Sequence, residues 1–169
     1  MSETLRLFSH MECQMSLYQH LIEQAQTANF FTQDMIKRFE PVEIRVTIQA
    51  LLASPEHHDL AHALGDAGIA LYPEDEDMLT VNGFLAVLRQ DWAQVIEHLQ
   101  PLLKVRAGRT DAATFHALCI AMQKRMDFEA ALNIACEGLV HHPEDKGLAE
   151  FQAVLQHHVN SLEQQRHAQ

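Results

Sequence analysis

Residues Asp111 to Pro143 read DAATFHALCIAMQKRMDFEAALNIACEGLVHHP, and the organisation of the chain is best understood from this segment. Its apolar side chains recur every three to four positions on both sides of Arg125-Met126-Asp127, which is the spacing of an amphipathic helix. Most of its residues favour or tolerate helices, and Pro143 interrupts the second periodic run. The segment therefore predicts two helices that are joined by a tight turn.

The same arrangement recurs earlier in the chain. The sequence IALYPEDEDMLTVNG, from Ile69, is similar to GLVHHPEDKGLAEFQ, from Gly138, because both close one helical pattern with Pro-Glu-Asp and open another. Between them, Arg89-Gln90-Asp91-Trp92 matches the later turn of Arg125 to Phe128, since an aspartate precedes an aromatic residue in both. A repeat of about 34 residues with helix, turn and helix predicts a series of helical hairpins.

These residues resemble the tetratricopeptide repeat (TPR). The copy over 111–143 matches best, a middle copy from Leu79 to about 105 lacks the closing proline, and a first copy over 42–75 has an atypical first helix. The resemblance implies an all-α protein, a right-handed superhelix of about three hairpins with N-terminal helices and a C-terminal capping helix. The pattern residues of the best copy are Phe115, Leu118, Cys119, Met122, Ala131, Ala135, Gly138 and Pro143.

The resemblance also implies a division of the chain. We expect an N-terminal helical extension over 1–40, three hairpins over 41–145, and a capping helix with a tail over 146–169, about eight to nine helices in all. The N-terminal extension carries an apolar stripe through Leu5, Phe8, Met15 and Ile22. This stripe leaves two alternatives open, a homodimer or a helix that folds back onto the hairpins.

In TPR proteins the first helix of each hairpin lines a concave groove that binds segments of partner proteins. The groove residues implied here are largely apolar and lack a cluster of Lys, Arg and Asn for a C-terminal carboxylate, so they suit an apolar helix or extended segment of a protein or peptide partner. The alternative is that Val46, Phe84 and Ile120 belong to the hairpin core. The candidates are Glu43, Val46 and Ala50 in the first copy, Thr80, Phe84 and Val87 in the second, and His116, Ile120 and Lys124 in the third.

The charge of the chain argues against nucleic acid as a partner. Lys and Arg number 12 against 23 Asp and Glu, which gives a formal net charge of −11 with neutral histidines. Binding to nucleic acid depends on basic side chains that replace counterions at phosphates. Hydrophobic residues at 47% and charged residues at 21% are typical of a globular domain.

The cysteines and the N-terminal sequence indicate the cellular compartment in which the protein is expected. The three cysteines, Cys13, Cys119 and Cys136, are an odd number without a Cys-x-x-Cys pair, which argues against a disulfide framework. The N-terminal sequence lacks the charge and apolar pattern of a signal peptide, and no segment approaches the ~20 apolar residues of a membrane span. We therefore expect a cytoplasmic protein without membrane insertion.

The sequence predicts no enzyme, no metal site and no cofactor. There is no nucleophile motif and no phosphate-binding glycine loop. His57, His58 and His62 include a pair with the spacing of zinc ligands, but no third ligand lies nearby and a surface role is favoured. The acidic run Glu74 to Asp77 suits a helix N-terminus better than a calcium loop, because the ligand spacing and glycine of such a loop are missing.

Two functions remain, and they differ in what the groove holds. A short acidic chain with three TPR-like hairpins and a helical N-terminal extension resembles the chaperones of bacterial type III secretion, which keep secreted subunits soluble through an apolar groove. The alternative is a permanent TPR scaffold or adaptor in a bacterial secretion, pilus or regulatory assembly. The first interpretation is slightly favoured, since the candidate groove residues are mostly apolar.

Overall fold

The computed structural model of the chain describes Tyr18, Leu21 and residues 36–106 and 108–167. All regular secondary structure in these residues is helical, which confirms the all-α fold class. The N-terminal stripe of Leu5, Phe8, Met15 and Ile22 lies outside the described residues. The predicted division at 40 and 145 stays a prediction.

Seven α-helices are present in the described part of the chain. A short 3-10 helix, Pro55–His57, precedes the second of them, and Pro101 lies inside the fourth. None of these helices is both long and apolar enough to cross a lipid bilayer, among the residues that the structure describes. The helices are α1 Pro41–Leu51, α2 His58–Leu71, α3 Glu76–Arg89, α4 Trp92–Arg106, α5 Ala112–Lys124, α6 Phe128–His141 and α7 Lys146–His167.

Aspartate side chains begin the last five helices. In each case the Oδ1 atom accepts a backbone N–H from the first turn, which satisfies a donor that has no partner within the helix. Part of the negative charge of the chain therefore serves helix N-termini, where it is also favoured by the helix dipole. The bonds are Asp75 to Met78 at 3.1 Å, Asp91 to Gln94 at 3.2 Å, Asp111 to Thr114 at 2.8 Å, Asp127 to Ala130 at 3.1 Å and Asp145 to Leu148 at 2.9 Å.

The turns after α3 and α5 share one backbone geometry. Gln90 and Met126 have φ angles of 57° and 65°, in the left-handed region. The next residue, Asp91 or Asp127, then donates its N–H across the end of the preceding helix, to Ala86 O or Met122 O at 3.0 Å in both turns. This is the hydrogen bond of a Schellman C-cap, so the two hairpins reverse direction in the same way.

The contacts of the chain divide it into two compact units, residues 1–82 and 83–169, and the boundary falls within α3. In the first unit, Gly68 of α2 lies against both α1 and the start of α3. A Cβ atom at this position would lie 2.7 Å from Met78 Sδ and 3.2 Å from Ile44 Cγ2. The absence of a side chain at Gly68 therefore lets three helices approach closely.

In the second unit, Gly138 of α6 has the equivalent role between α5 and α7. A Cβ atom here would lie 2.9 Å from Leu148 Cδ1 and 3.0 Å from Phe115 Cγ. Phe115 and Leu148 are buried, with exposed fractions of 1% and 0%. The glycine of the repeat pattern is thus a point of contact between one hairpin and the first helix after it.

Replacement of Gly138 by alanine tests this contact. An alanine in an open helix position usually stabilises a protein relative to glycine by about 0.5–1 kcal/mol. Here the methyl group overlaps buried side chains, so we expect the free energy of unfolding to fall by about 1–3 kcal/mol. Urea denaturation followed by circular dichroism measures the change.

Asn133→Ala provides the control, because Asn133 is exposed on the same helix. We expect it to change the free energy of unfolding by less than about 0.5 kcal/mol. A gain in stability for Gly138→Ala would show that the close approach of α6 to its neighbours is not required.

Candidate protein-interaction groove

Helices α5 and α7 border a shallow cavity of about 310 Å³. Both belong to the second unit. The cavity is lined by His116 and Gln123 of α5 and by Gly147, Glu150, Phe151 and Val154 of α7. We call this cavity the α5–α7 groove.

Contacts at two levels show that the helices run side by side in the same direction, since Gly147 lies against His116 and Leu155 belongs to one buried cluster with Met122. At one end, a Cβ atom on Gly147 would overlap the imidazole of His116, so the backbone of α7 approaches that ring closely. At the other end, Gln123 and Val154 lie two helical turns further along their helices, about 10 Å away. The groove is therefore long enough for a short stretch of a partner chain rather than for one side chain alone.

The imidazole of His116 is held from two sides. Its Nε2 atom lies 2.9 Å from Asp145 Oδ1, in the turn that leads into α7. The ring of Phe151 meets it edge-on, with 5.7 Å between the ring centroids and 64° between the planes. Because Asp145 and Phe151 both come from outside α5, they fix the position of the ring relative to α7.

The carboxylate of Asp145 has two functions in this arrangement. It caps α7 through the N–H of Leu148, and it accepts from His116. The bond from Leu148, followed by the bond and charge of His116, lowers the pKa of Asp145 from its usual value, although desolvation acts in the opposite direction. Asp145 is therefore ionised throughout the neutral range.

The part of the α7 wall that Phe151 and Val154 form is apolar and open. Val154 is 62% exposed. Phe151 is half-buried and packs against a cluster of Met122, Ala131 and Leu155, which anchors this wall to the core of the second unit. An anchored aromatic ring next to an exposed valine is a surface that can gain from contact with an apolar partner.

The predicted groove residues divide between the two units. Phe84 and Val87 of α3 and His116, Ile120 and Lys124 of α5 lie in the second unit, whereas Val46, Ala50 and Thr80 lie in the first. Of these, His116 lines the α5–α7 groove. That all of these residues form one continuous binding surface stays a prediction.

The exposure of these residues bears on the core alternative. Val46, Phe84 and Ile120 are half-buried and do not belong to the fully buried core of the described residues. Val87, Thr80 and His116 are also half-buried, and Ala50 and Lys124 are exposed. The hydroxyl of Thr80 donates to Glu76 O at 2.6 Å, within its own helix.

One further candidate, Glu43, has a different role. It is 8% exposed, and its carboxylate accepts the backbone N–H of Glu40 at 2.8 Å. Glu40 and Glu43 thus form the capping box of α1. The prediction that Glu43 faces a partner was wrong, because its carboxylate satisfies a donor at the start of its own helix.

The α7 side of the groove was not predicted from the sequence. Gly147, Glu150, Phe151 and Val154 were assigned to a capping helix without a binding role. The repeat itself carried the missing signal, since GLVHHPEDKGLAEFQ matches the segment that leads into α3. By that match, α7 begins like the first helix of another hairpin.

The histidines near α2 and the buried Cys119 contact other groups of the protein and form no metal site among the described residues. His58 Nε2 lies 3.2 Å from Leu52 O, and the His57 ring meets Tyr18 edge-on with 6.2 Å between centroids. Within residues 36–106 and 108–167, Tyr18 and Leu21, no group of three or more His, Cys, Asp and Glu side chains is placed to hold a metal ion. Burial raises the pKa of the Cys119 thiol to about 12, so this thiol stays protonated at neutral pH.

The titration of Asp145 tests the contacts of its carboxylate. A lowered pKa in the folded state means that Asp145 stabilises the fold above the ordinary carboxyl pKa of about 3.9, and that this contribution is lost as the pH falls through the folded-state value. In His116→Ala we expect the pKa of Asp145, measured by carbon-detected NMR, to rise. It should stay below the ordinary value, because the N–H of Leu148 remains. An unchanged pKa would contradict the contact with His116.

The two described cysteines should differ in reactivity. Cys119 is fully buried and its Sγ contacts Ala131 O at 3.6 Å, whereas Cys136 is half-buried. We expect iodoacetamide at pH 7.5 to alkylate Cys136 before Cys119, as located by peptide mass spectrometry. Urea-unfolded protein is the control, in which both should react at similar rates. Faster alkylation of Cys119 in the native protein would contradict its burial.

Comparison with known proteins supports the fold. No protein-family model matches the chain, and no curated protein matches it. The solved structure named MamA MSR-1 C2 is similar, with a TM-score of 0.69 and 16% sequence identity over 95% of this chain and 90% of that one. None of these comparisons supports the resemblance to type III secretion chaperones. MamA is a TPR-containing protein, and at this identity the similarity shows that the present chain has a TPR-like helical fold.

Proposed function

We propose that the protein is a protein-interaction module that holds an apolar segment of a partner in the α5–α7 groove. The observation that carries the proposal is the open apolar wall of α7, where Val154 is 62% exposed beside the anchored ring of Phe151. The cavity of about 310 Å³ lies at the lower end of the range of ligand pockets, roughly 300–1,000 Å³. It suits a few side chains of a longer segment.

The role that fits this groove best is that of a chaperone. An apolar segment that awaits assembly must be shielded from water, and the partner we propose is a subunit of a secretion system that carries such a segment. The formal net charge of −11 would keep the complex soluble while the segment is covered. The second candidate is a permanent scaffold or adaptor in a secretion, pilus or regulatory assembly, which the TPR-like fold also favours.

Co-expression separates the chaperone from the scaffold. The tagged protein is produced together with the products of adjacent genes, and its complexes are purified and identified by mass spectrometry. A chaperone is expected to bring down one small partner that becomes insoluble when this protein is omitted. A partner that is soluble alone and stays in a large stable assembly would support the scaffold instead.

Substitutions on two exposed valines test the site. Val154→Glu places a charge on the apolar wall of the groove, so we expect loss of the co-purified partner. Val140→Glu is the matched control, because Val140 is 77% exposed on α6 and does not line the groove. It should retain the partner, and both variants should keep the helical circular dichroism of the wild type.

Ile120→Glu extends the test along α5, since Ile120 lies one turn after His116 on that helix. A folded Ile120→Glu variant that loses the partner would add this residue to the binding surface. Equal capture of the partner by wild type, Val154→Glu and Ile120→Glu would show that binding occurs elsewhere.

A further inference from the structure

Apart from the His116–Asp145 pair, the charge that lines the α5–α7 groove is negative. Glu150 is the one acidic residue among the lining residues, and none of the described lining residues is Lys or Arg. No ion pair joins Glu150 to another described residue. The second carboxylate, Asp145, is paired with the imidazole of His116 at 2.9 Å, so Glu150 supplies the negative charge that is not compensated within the groove. The groove therefore combines an apolar wall with an excess of negative charge.

An aromatic ring accompanies this charge. Phe151 follows Glu150 in the sequence, and both side chains line the groove. A cation is attracted to the face of an aromatic ring and to a carboxylate, and the guanidinium or ammonium group of a partner can use both. The long apolar stems of Arg and Lys can also cover exposed valine surface while the charged end stays hydrated.

We propose that the partner segment is basic as well as apolar, and that Glu150 selects it. A large apolar side chain of the segment packs against Phe151 and Val154, and a neighbouring Lys or Arg of the same segment pairs with Glu150. This inference rests on the proposed function, because it concerns the same groove and adds the chemistry of the segment that occupies it.

The distribution of charge also gives the segment a direction. Glu144, Asp145, Lys146 and Glu150 at the start of α7 have a formal net charge of −2, three acidic residues against one basic, whereas Lys124 and Arg125 lie at the end of α5, beyond Gln123. From His116 to Lys124 the distance along the helix is about 12 Å. A basic residue of the segment therefore lies toward His116 and is kept away from the end of α5 by charge repulsion.

Selection of peptides measures this preference directly. Random peptides displayed on phage are selected on the full-length wild-type protein and on Glu150→Lys. The wild type is expected to enrich peptides with Lys or Arg next to a large apolar residue, and Glu150→Lys is expected to enrich Asp or Glu in that place. Glu137→Lys makes the same charge change at an exposed position of α6 outside the groove, and it should retain the preference for Lys and Arg.

The affinity of one selected peptide provides a second readout. Glu150→Gln should weaken binding of a Lys-containing peptide by up to about fivefold, because partly exposed ion pairs contribute modestly. This difference between Glu150→Gln and the wild type should disappear in 1 M KCl, where the screening length is about 3 Å. Fluorescence anisotropy at both salt concentrations gives the two ratios.

The outcomes separate the charge preference from the groove. If selected peptides lose binding to Val154→Asn, which removes the apolar contact without adding a charge, but their composition is the same for wild type and Glu150→Lys, the groove stands and the charge preference is overturned. If the peptides bind Val154→Asn as tightly as wild type, or if none is enriched, the groove itself is contradicted, and the charge preference with it.

Discussion

The close approach of α6 to the helices on either side of it is the constraint on which the second unit depends. Gly138 leaves no room for a side chain between Phe115 and Leu148, so α5, α6 and α7 share one contact. Gly68 makes the equivalent contact with Ile44 and Met78 in the first unit. Each hairpin therefore buries its apolar face against the first helix that follows it, so the stability of one repeat depends on the presence of the next.

The contacts at α6 also place the groove. Once Leu148 packs against Gly138, the start of α7 is fixed, and Asp145 is brought to His116. The carboxylate that caps α7 is thus also the group that holds the His116 imidazole in the α5–α7 groove. Asp145 thus both caps a helix and positions a residue of the candidate site.

The helices could be predicted from the sequence because their signals are local. Aspartate caps, prolines and the spacing of apolar residues act within a few positions, so the turns at Arg89 to Trp92 and Arg125 to Phe128 and the helix end before Pro143 could be placed from the sequence. The groove depends on pairs such as His116 and Asp145, which are 29 residues apart in the sequence. His116 was identified through the family resemblance, whereas Phe151 and Val154 were not, because the last helix was considered only as a cover for the core. Glu43 shows the reverse case, in which a local capping signal was read as a surface feature.

The left-handed turns at Gln90 and Met126 have a practical consequence. A residue other than glycine in this conformation carries a steric penalty of roughly 1–2 kcal/mol, and Met126 has no burial to offset it, since it is 72% exposed. Glycine at either turn would remove this strain. The two hairpin turns are therefore positions where a substitution can raise the free energy of unfolding. A more stable variant would be useful for the capture of weakly bound partners.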